Sequence, residues 1–240
     1  MTDMHYLALM FAREDGSTPG PDTPEFAAEV ARYAEFEERA GRAVAGGHAL
    51  YPAATAVHLR RPKDETLVSD GPFTEQAEVV GGFYVFDCAD LDDAIQFARQ
   101  LPAAEQGTVE VRPMVQWDAP KDLGADGWLA LLWEKPEAVI VPDTPEWKAA
   151  IVEHERFAEK AGAAIRGGGA VHPPTTATTV RVREGELLLS DGPFAESAEI
   201  VDGLYVLAAR DEKQAIDLAA QIPIGPTGRT EVRRIVDLDD

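Results

Sequence analysis

The sequence predicts an α+β fold made of two tandem units, each with four core strands and two helices in the order β-α-β-β-α-β. Three observations predict it. The chain repeats itself at a spacing of 121 residues. Each repeat holds short extended apolar runs and two runs of helical period. The first strand of each repeat is apolar on both alternating sides, so both faces of its sheet must be covered.

Asp22-Thr-Pro-Glu25 recurs as Asp143-Thr-Pro-Glu146, and Ser69-Asp-Gly-Pro-Phe73 as Ser190-Asp-Gly-Pro-Phe194. Laid without a gap, 22–117 matches 143–238 at 42 of 96 positions. Before Asp22 the offset is 122, because Tyr6-Leu-Ala-Leu-Met-Phe11 matches Trp128-Leu-Ala-Leu-Leu-Trp133. Repeats this long are duplicated domains, not turns of a solenoid. The expected division is a first copy at 1–117, a polar Pro/Gly linker at 118–126 and a second copy at 127–240.

Within the first copy, His5 to Ala12 reads as a strand with Leu7, Leu9 and Phe11 on one side and Tyr6, Ala8 and Met10 on the other. Asp22-Thr23 before Pro24 offers a capping oxygen ahead of a first-turn proline, a helix start. Phe26, Val30, Tyr33, Phe36 and Ala40 then recur at three and four, and Gly41 closes the helix. The second copy repeats this with Trp147, Ile151, His154, Phe157, Ala161 and Gly162. Ala43 to Leu50 and Thr55 to Arg60 read as extended, interrupted by Pro52. Val79 to Asp87 is a strand containing Gly82. Asp90 caps a second helix with Leu91, Ala94, Ile95, Ala98 and Leu101 inward, and Pro102 stops it. Thr108 to Val115 is the last strand. This is the ferredoxin-like plan, with an extra hairpin around 54–70. The bare sheet face of one copy is expected to be covered by its twin, as in a symmetric dimer with a tethered partner.

Composition limits function. The chain is 45% hydrophobic and 27% charged, which excludes wholesale disorder. Its net charge of −21 opposes direct binding to nucleic acid or to an anionic membrane. No apolar run is long enough to span a bilayer, no signal peptide is visible, and a cytoplasmic protein is expected. Cys88 has no partner for a disulfide, and its match in the second copy is Ala209.

The run from Val68 through Asp70-Gly-Pro-Phe73 to Tyr84, and its twin from Leu189 to Tyr205, resembles the YCII-related (DGPF-domain) family. Thr176-Ala-Thr-Thr-Val-Arg181 and Val109-Glu-Val-Arg112 are similar to it as well. The resemblance implies an intramolecular dimeric α/β barrel of two ferredoxin-like domains. It also implies a link, in some members, to extracytoplasmic-function sigma factors and, in a few, small-molecule chemistry by a His–Asp pair. On that basis Asp70 and Asp191 match the acidic member of the pair. The family histidine falls one helical turn before His154, where this chain has Ile151.

Several residues can be weighed on their own chemistry. Asp-Gly-Pro is a turn sequence in its own right, so Asp70 and Asp191 need no further role. Glu75 and Glu78, like Glu196 and Glu199, could place two carboxylates on one side of a turn, or simply a solvated face. His154 lies on the inward stripe of its helix and could be a core residue or a general base; Tyr33 holds its place in the first copy. Glu110 and Arg112, and their twins Glu231 and Arg233, alternate along the last strand, as a cross-strand ion pair or as an arginine for a ligand carboxylate. His48, His58 and His172 have no histidine twins and no zinc spacing. The glycines at 46–47 and 167–169 have no phosphate-loop context. No metal, nucleotide or flavin is therefore expected.

Two functional readings follow. One is a small-molecule-binding protein, with or without catalysis, that has His154, Asp191 and Asp70 at the reaction centre and Tyr33, Glu75, Glu196, Arg112 and Arg233 around the ligand. The other is a regulatory or protein-interaction module whose acidic surface meets a partner such as a sigma factor.

Overall fold

The computed structural model describes residues 4–14, 23–61, 66–71, 78–121, 123, 126–194 and 199–238. In chain order the first copy contributes β1 (Met4–Ala12), α1 (Pro24–Ala40), β2 (Val44–Ala49), β3 (Val57–Arg60), β4 (Leu67–Asp70), β5 (Val79–Cys88), α2 (Leu91–Ala98), α3 (Pro102–Gln106) and β6 (Thr108–Asp118). The second contributes β7 (Gly127–Glu134), α4 (Pro145–Ala161), β8 (Ile165–Val171), β9 (Thr178–Arg183), β10 (Glu186–Asp191), β11 (Ile200–Ala208), α5 (Glu212–Ala219) and β12 (Arg229–Arg234). No described helix is long and apolar enough to cross a membrane.

The chain forms two compact units, and neither is a single sequence copy. Unit 1 comprises Met1–Ala49, Gln76–Met114 and Thr175–Ala195; unit 2 comprises Leu50–Glu75, Val115–Pro174 and Glu196–Asp240. In unit 1 the antiparallel strand order is β2-β5-β1-β6-β9-β10. In unit 2 it is β8-β11-β7-β12-β3-β4. The first four strands of each have the ferredoxin-like order. The last two are the hairpin of the other copy. The hairpin foreseen around 54–70 therefore exists, but it extends the sheet of the opposite repeat, with Val57–Arg60 paired to Val232–Arg229. The first copy's last strand receives β9 in the same way, through Val109↔Val180 and Glu110↔Thr179.

Local sequence accounts for most boundaries. The Thr23 and Thr144 hydroxyls, one residue after the aspartates, accept from the Phe26 and Trp147 amides at 3.2 Å. Pro24 and Pro145 occupy the first turns, where no backbone donor is needed. Gly41 and Gly162 end these helices at φ 55°, a conformation that glycine reaches without a Cβ clash. Asp90 caps α2 and Asp211 caps α5. Pro102 is past the end of α2, as expected, but it also opens the short helix α3. The second copy has Gly225 and Pro226 in that stretch and no helix there.

Each sheet has one helix-covered face and one helix-free face. In unit 1, Tyr6, Ala8, Met10, Tyr84 and Phe86 meet Phe36 of α1 and Ala94, Ala98 and Leu101 of the α2 region. Leu7, Leu9, Phe83 and Val85 lie on the opposite face and are fully buried. In unit 2, Trp128, Ala130 and Leu207 pack with Phe157, Ala215 and Ala219. The foreseen helical stripes hold at Phe36 and Phe157, whereas Ile151 is 40% exposed.

Candidate functional site

The helix-free face of each sheet carries buried charge where β6 or β12 meets the exchanged hairpin. In unit 1, Arg112 pairs with Glu110 two residues earlier on β6. The other oxygen of Glu110 accepts from the Phe194 amide at 2.7 Å. The Phe194 ring lies 4.9 Å from that of Phe11 and under the Arg181 guanidinium at 5.2 Å. Arg181 in turn donates to the Thr108 hydroxyl at 2.8 Å. The Asp-Gly-Pro-Phe turn of the second copy thus anchors onto the first copy's last strand. Gly192, at φ 94°, shapes that turn and donates to the Ala177 carbonyl at 2.8 Å.

Unit 2 builds a denser cluster on the equivalent strands. Arg233 pairs with Glu231 at 2.8 Å and donates to the Tyr51 carbonyl at 3.2 Å. Arg229 replaces the Thr108 of unit 1. It donates to Glu199 at 2.5 Å and to Glu231 at 3.2 Å, lies 3.0 Å from His58 Nδ1, and stacks 4.3 Å over the Trp133 ring. Arg60 pairs with the second oxygen of Glu199. Burial alone would raise Glu199, but hydrogen bonds and charge from Arg229 and Arg60 outweigh it and leave its carboxyl below the usual range. Glu231 is held low in the same sense: burial raises it, and Arg233 and Arg229 overcome that. His58 is brought down to about 4, chiefly by burial, so it is neutral at pH 7.

Arg112 and Arg233 were foreseen as ligand-binding arginines or cross-strand ion pairs. They are 1% exposed, and their carboxylate partners lie on the same strand rather than across it. Alternation on a strand puts residues i and i+2 on one face, which explains the geometry. His58, Arg60, Trp133 and Arg229 are the members that sequence reasoning missed. Their signal was the alternation His58-x-Arg60 and Arg229-x-Glu231-x-Arg233, but only the pairing of β3 with β12 joins the two runs.

His154 does face inward, yet its partner is not an aspartate. Its Nδ1 lies 2.8 Å from the Tyr205 hydroxyl. Desolvation lowers His154 and raises Tyr205 to about 12, so both are neutral, and the histidine tautomer decides which of them donates. In the first copy, Tyr84 replaces Tyr205 and donates to Glu37 at 2.7 Å, while Tyr33 stacks on it at 6.2 Å. Ala158 stands where Glu37 would be. His154 therefore supplies the hydrogen bond that the second copy lost with that glutamate.

His154 belongs to unit 2 and Asp191 to unit 1, where Asp191 is exposed and opposite Thr178 on the edge of the hairpin. Asp70 shares unit 2 with His154, but β4 is four strands from β11, about 19 Å at the usual strand spacing. Glu75 and Glu196 lie outside the described residues. Among the described residues no group of three or more His, Cys, Asp or Glu could hold a metal. Burial pushes the Cys88 thiol up to about 12, which leaves it unreactive.

A pocket of about 370 Å³ opens at one end of the unit 2 sheet, lined by Tyr51, Thr55, Asp126, Trp128, Ala209–Glu212 and Arg234. Arg234 packs 5.5 Å over the Tyr51 ring, and the Trp128 indole donates to the Ala209 carbonyl at 3.0 Å.

Fold and site together define a class: duplicated α+β units of ferredoxin-like order whose helix-free faces hold buried arginine–glutamate pairs. The YCII-related domain model matches residues 4–118 and again 128–239, and the chain belongs to that family. An uncharacterized protein of Rhizobium meliloti (strain 1021) is 49% identical over 67 residues, 27% of this chain and 54% of that protein. The match thus spans about half of the relative's length. The crystal structure of a protein provisionally described as a chlorite dismutase aligns over 99% of this chain and 96% of its own, at a TM-score of 0.46 and 10% identity.

Proposed function

We propose that the chain is a small-molecule-binding protein and that the charged cluster of unit 2 recognises a carboxylate-bearing ligand. One observation carries this reading: Arg60, Arg229 and Arg233 converge with His58 on a single sheet face, beside Trp133. A buried ion-pair network stabilises a fold less than apolar packing of the same volume does. Its presence on the same face of both units therefore favours recognition over stability. The forked guanidinium also matches a carboxylate better than an ammonium does. Binding rather than proton transfer is supported, because His154 serves Tyr205 and both aspartates sit on exposed hairpin strands.

The test converts unit 2 to the composition of unit 1. The double variant His58→Thr, Arg229→Thr installs the residues that unit 1 folds with, Thr179 and Thr108. A panel of small carboxylic acids is screened by thermal shift on the full chain. An acid that raises the melting temperature of the parent and not of the double variant is expected. Equal stabilisation of both proteins would reject the cluster as the site.

A second reading, the protein-interaction module, has one observation in its favour. The terminal strands β4 and β10 expose Leu67, Val68, Leu188 and Leu189, each about half accessible. Exposed apolar strands of this kind can accept a partner strand. Pull-down of a sigma factor by the parent, abolished by Leu188→Lys, Leu189→Lys, would favour it.

A further inference from the structure

We propose that the pocket at the end of the unit 2 sheet is a binding site for a small zwitterion of the amino-acid type, distinct from the charged cluster. Four chain segments build it. The turn between β11 and α5 supplies Ala209, Arg210 and Asp211, with Glu212 opening α5; Asp126 precedes β7 and Trp128 lies at its start; and Arg234 ends β12. Tyr51 and Thr55 of the first copy close one side, held by Tyr51 N donating to the Arg234 carbonyl at 3.0 Å. Arg233 and Arg234 point to opposite faces of β12, so the pocket and the cluster do not share a guanidinium.

The chemistry of the walls has two signs. Arg210 and Arg234 are cationic and suited to a carboxylate. The first turn of α5 adds its partial positive charge on the same side. Asp126 and Glu212 are anionic and suited to an ammonium. Asp211 is already committed, because its carboxylate caps α5 at the Gln214 amide, 2.8 Å away, and meets Arg210 Nε at 3.4 Å. Tyr51, Trp128 and Ala209 supply apolar surface between the charges. A pure anion would meet the two acids, and a pure amine would meet the two arginines. A molecule with both groups and a short apolar body satisfies all of them.

The asymmetry of the duplication points the same way. At the positions of Asp126, Arg210, Glu212 and Arg234 the first copy has Met4, Ala89, Leu91 and Pro113. Four charged positions of the second copy's pocket are thus uncharged in the first. The Asp90/Asp211 helix cap is common to both, so the difference concerns the pocket walls and not the helix start.

The test is NMR titration of the full chain, reading the indole N–H of Trp128, assigned by its loss in Trp128→Phe. The probes are the common amino acids at millimolar concentration. Each one that binds is followed by its analogue without the amino group and its analogue without the carboxylate. A saturable shift is expected for at least one amino acid and for neither analogue. Arg234→Gln and Asp126→Asn should each weaken it by on the order of tenfold or more. The variant His58→Thr, Arg229→Thr should leave it unchanged, which separates failure here from failure of the cluster reading. Absence of any shift, equal binding of a one-charge analogue, or binding that survives both pocket variants would overturn the proposal.

Discussion

The two units share a strand order and differ in what they bury on it. Unit 1 has Thr108, Thr179 and one aromatic clamp, Phe194 against Phe11 and Arg181. Unit 2 has Arg229 and His58 at the threonine positions, with Trp133 in the place of Phe11. Glu78 lies 3.8 Å from the exposed Arg13, whereas its twin Glu199 is gripped by Arg229 and Arg60. The comparison teaches that duplication preserved the scaffold in both halves while it let polar content collect in one. The helix side shows the opposite lesson: there the halves diverged in residue and kept the bond, Glu37 with Tyr84 in one and His154 with Tyr205 in the other.

The largest expected effect comes from separating the copies. Each sheet is completed by the other copy's hairpin, so residues 1–120 expressed alone should not form a compact monomer. Light scattering should find a hairpin-exchanged dimer or an unfolded chain. A folded monomer would show that the hairpin can close on its own sheet and would remove the exchange from the comparison.

Next come the buried arginines. Arg112→Ala and Arg233→Ala each strand a buried glutamate, at a cost of about 3–5 kcal/mol by urea denaturation. Arg233→Ala should be the milder of the two, because Glu231 keeps Arg229 at 3.2 Å. Equal losses would mean that the denser network of unit 2 shares no load.

Acid should act on unit 2 in two stages. His58 has its pKa lowered to about 4. The unfolded chain therefore takes up a proton first as pH falls below about 6.5, and stability drops between there and 4. Glu199 and Glu231 are held below the ordinary 4.5, so their contribution is present above it and disappears only as pH falls further. Melting temperatures across this range should show His58→Thr flattening the upper stage. An unchanged profile would remove His58 as the cause.

The smallest effect concerns the helix-facing tyrosines. His154→Gln and Tyr84→Phe should each cost about 1 kcal/mol, the usual worth of a partly buried hydrogen bond. Tyr33→His with Glu37→Ala should transplant the second copy's arrangement into the first at little net cost. A loss well beyond the sum of the single changes would show that the two helices sit differently on their sheets.

Much of this was legible in one dimension because its causes are local. The threonine–proline helix starts, the glycine stops, the aspartate caps and the alternation of β1 depend on neighbours within four residues, and the repeat itself is a matter of counting. The partner of an inward side chain is not local. His154 read as a core residue or as a base beside Asp191, and the structure sets its ring 2.8 Å from the Tyr205 hydroxyl on β11. The destination of the 54–70 hairpin was also open. Its strands carry the same alternation whichever sheet they extend, so hydrogen-bonding edges, not residue pattern, selected the other copy. For the same reason the sequence by itself determined that Glu231 and Arg233 share a face. Only the tertiary structure brought His58, Arg60 and Glu199 to them, because a buried charge is settled by whichever opposite charge the packing delivers.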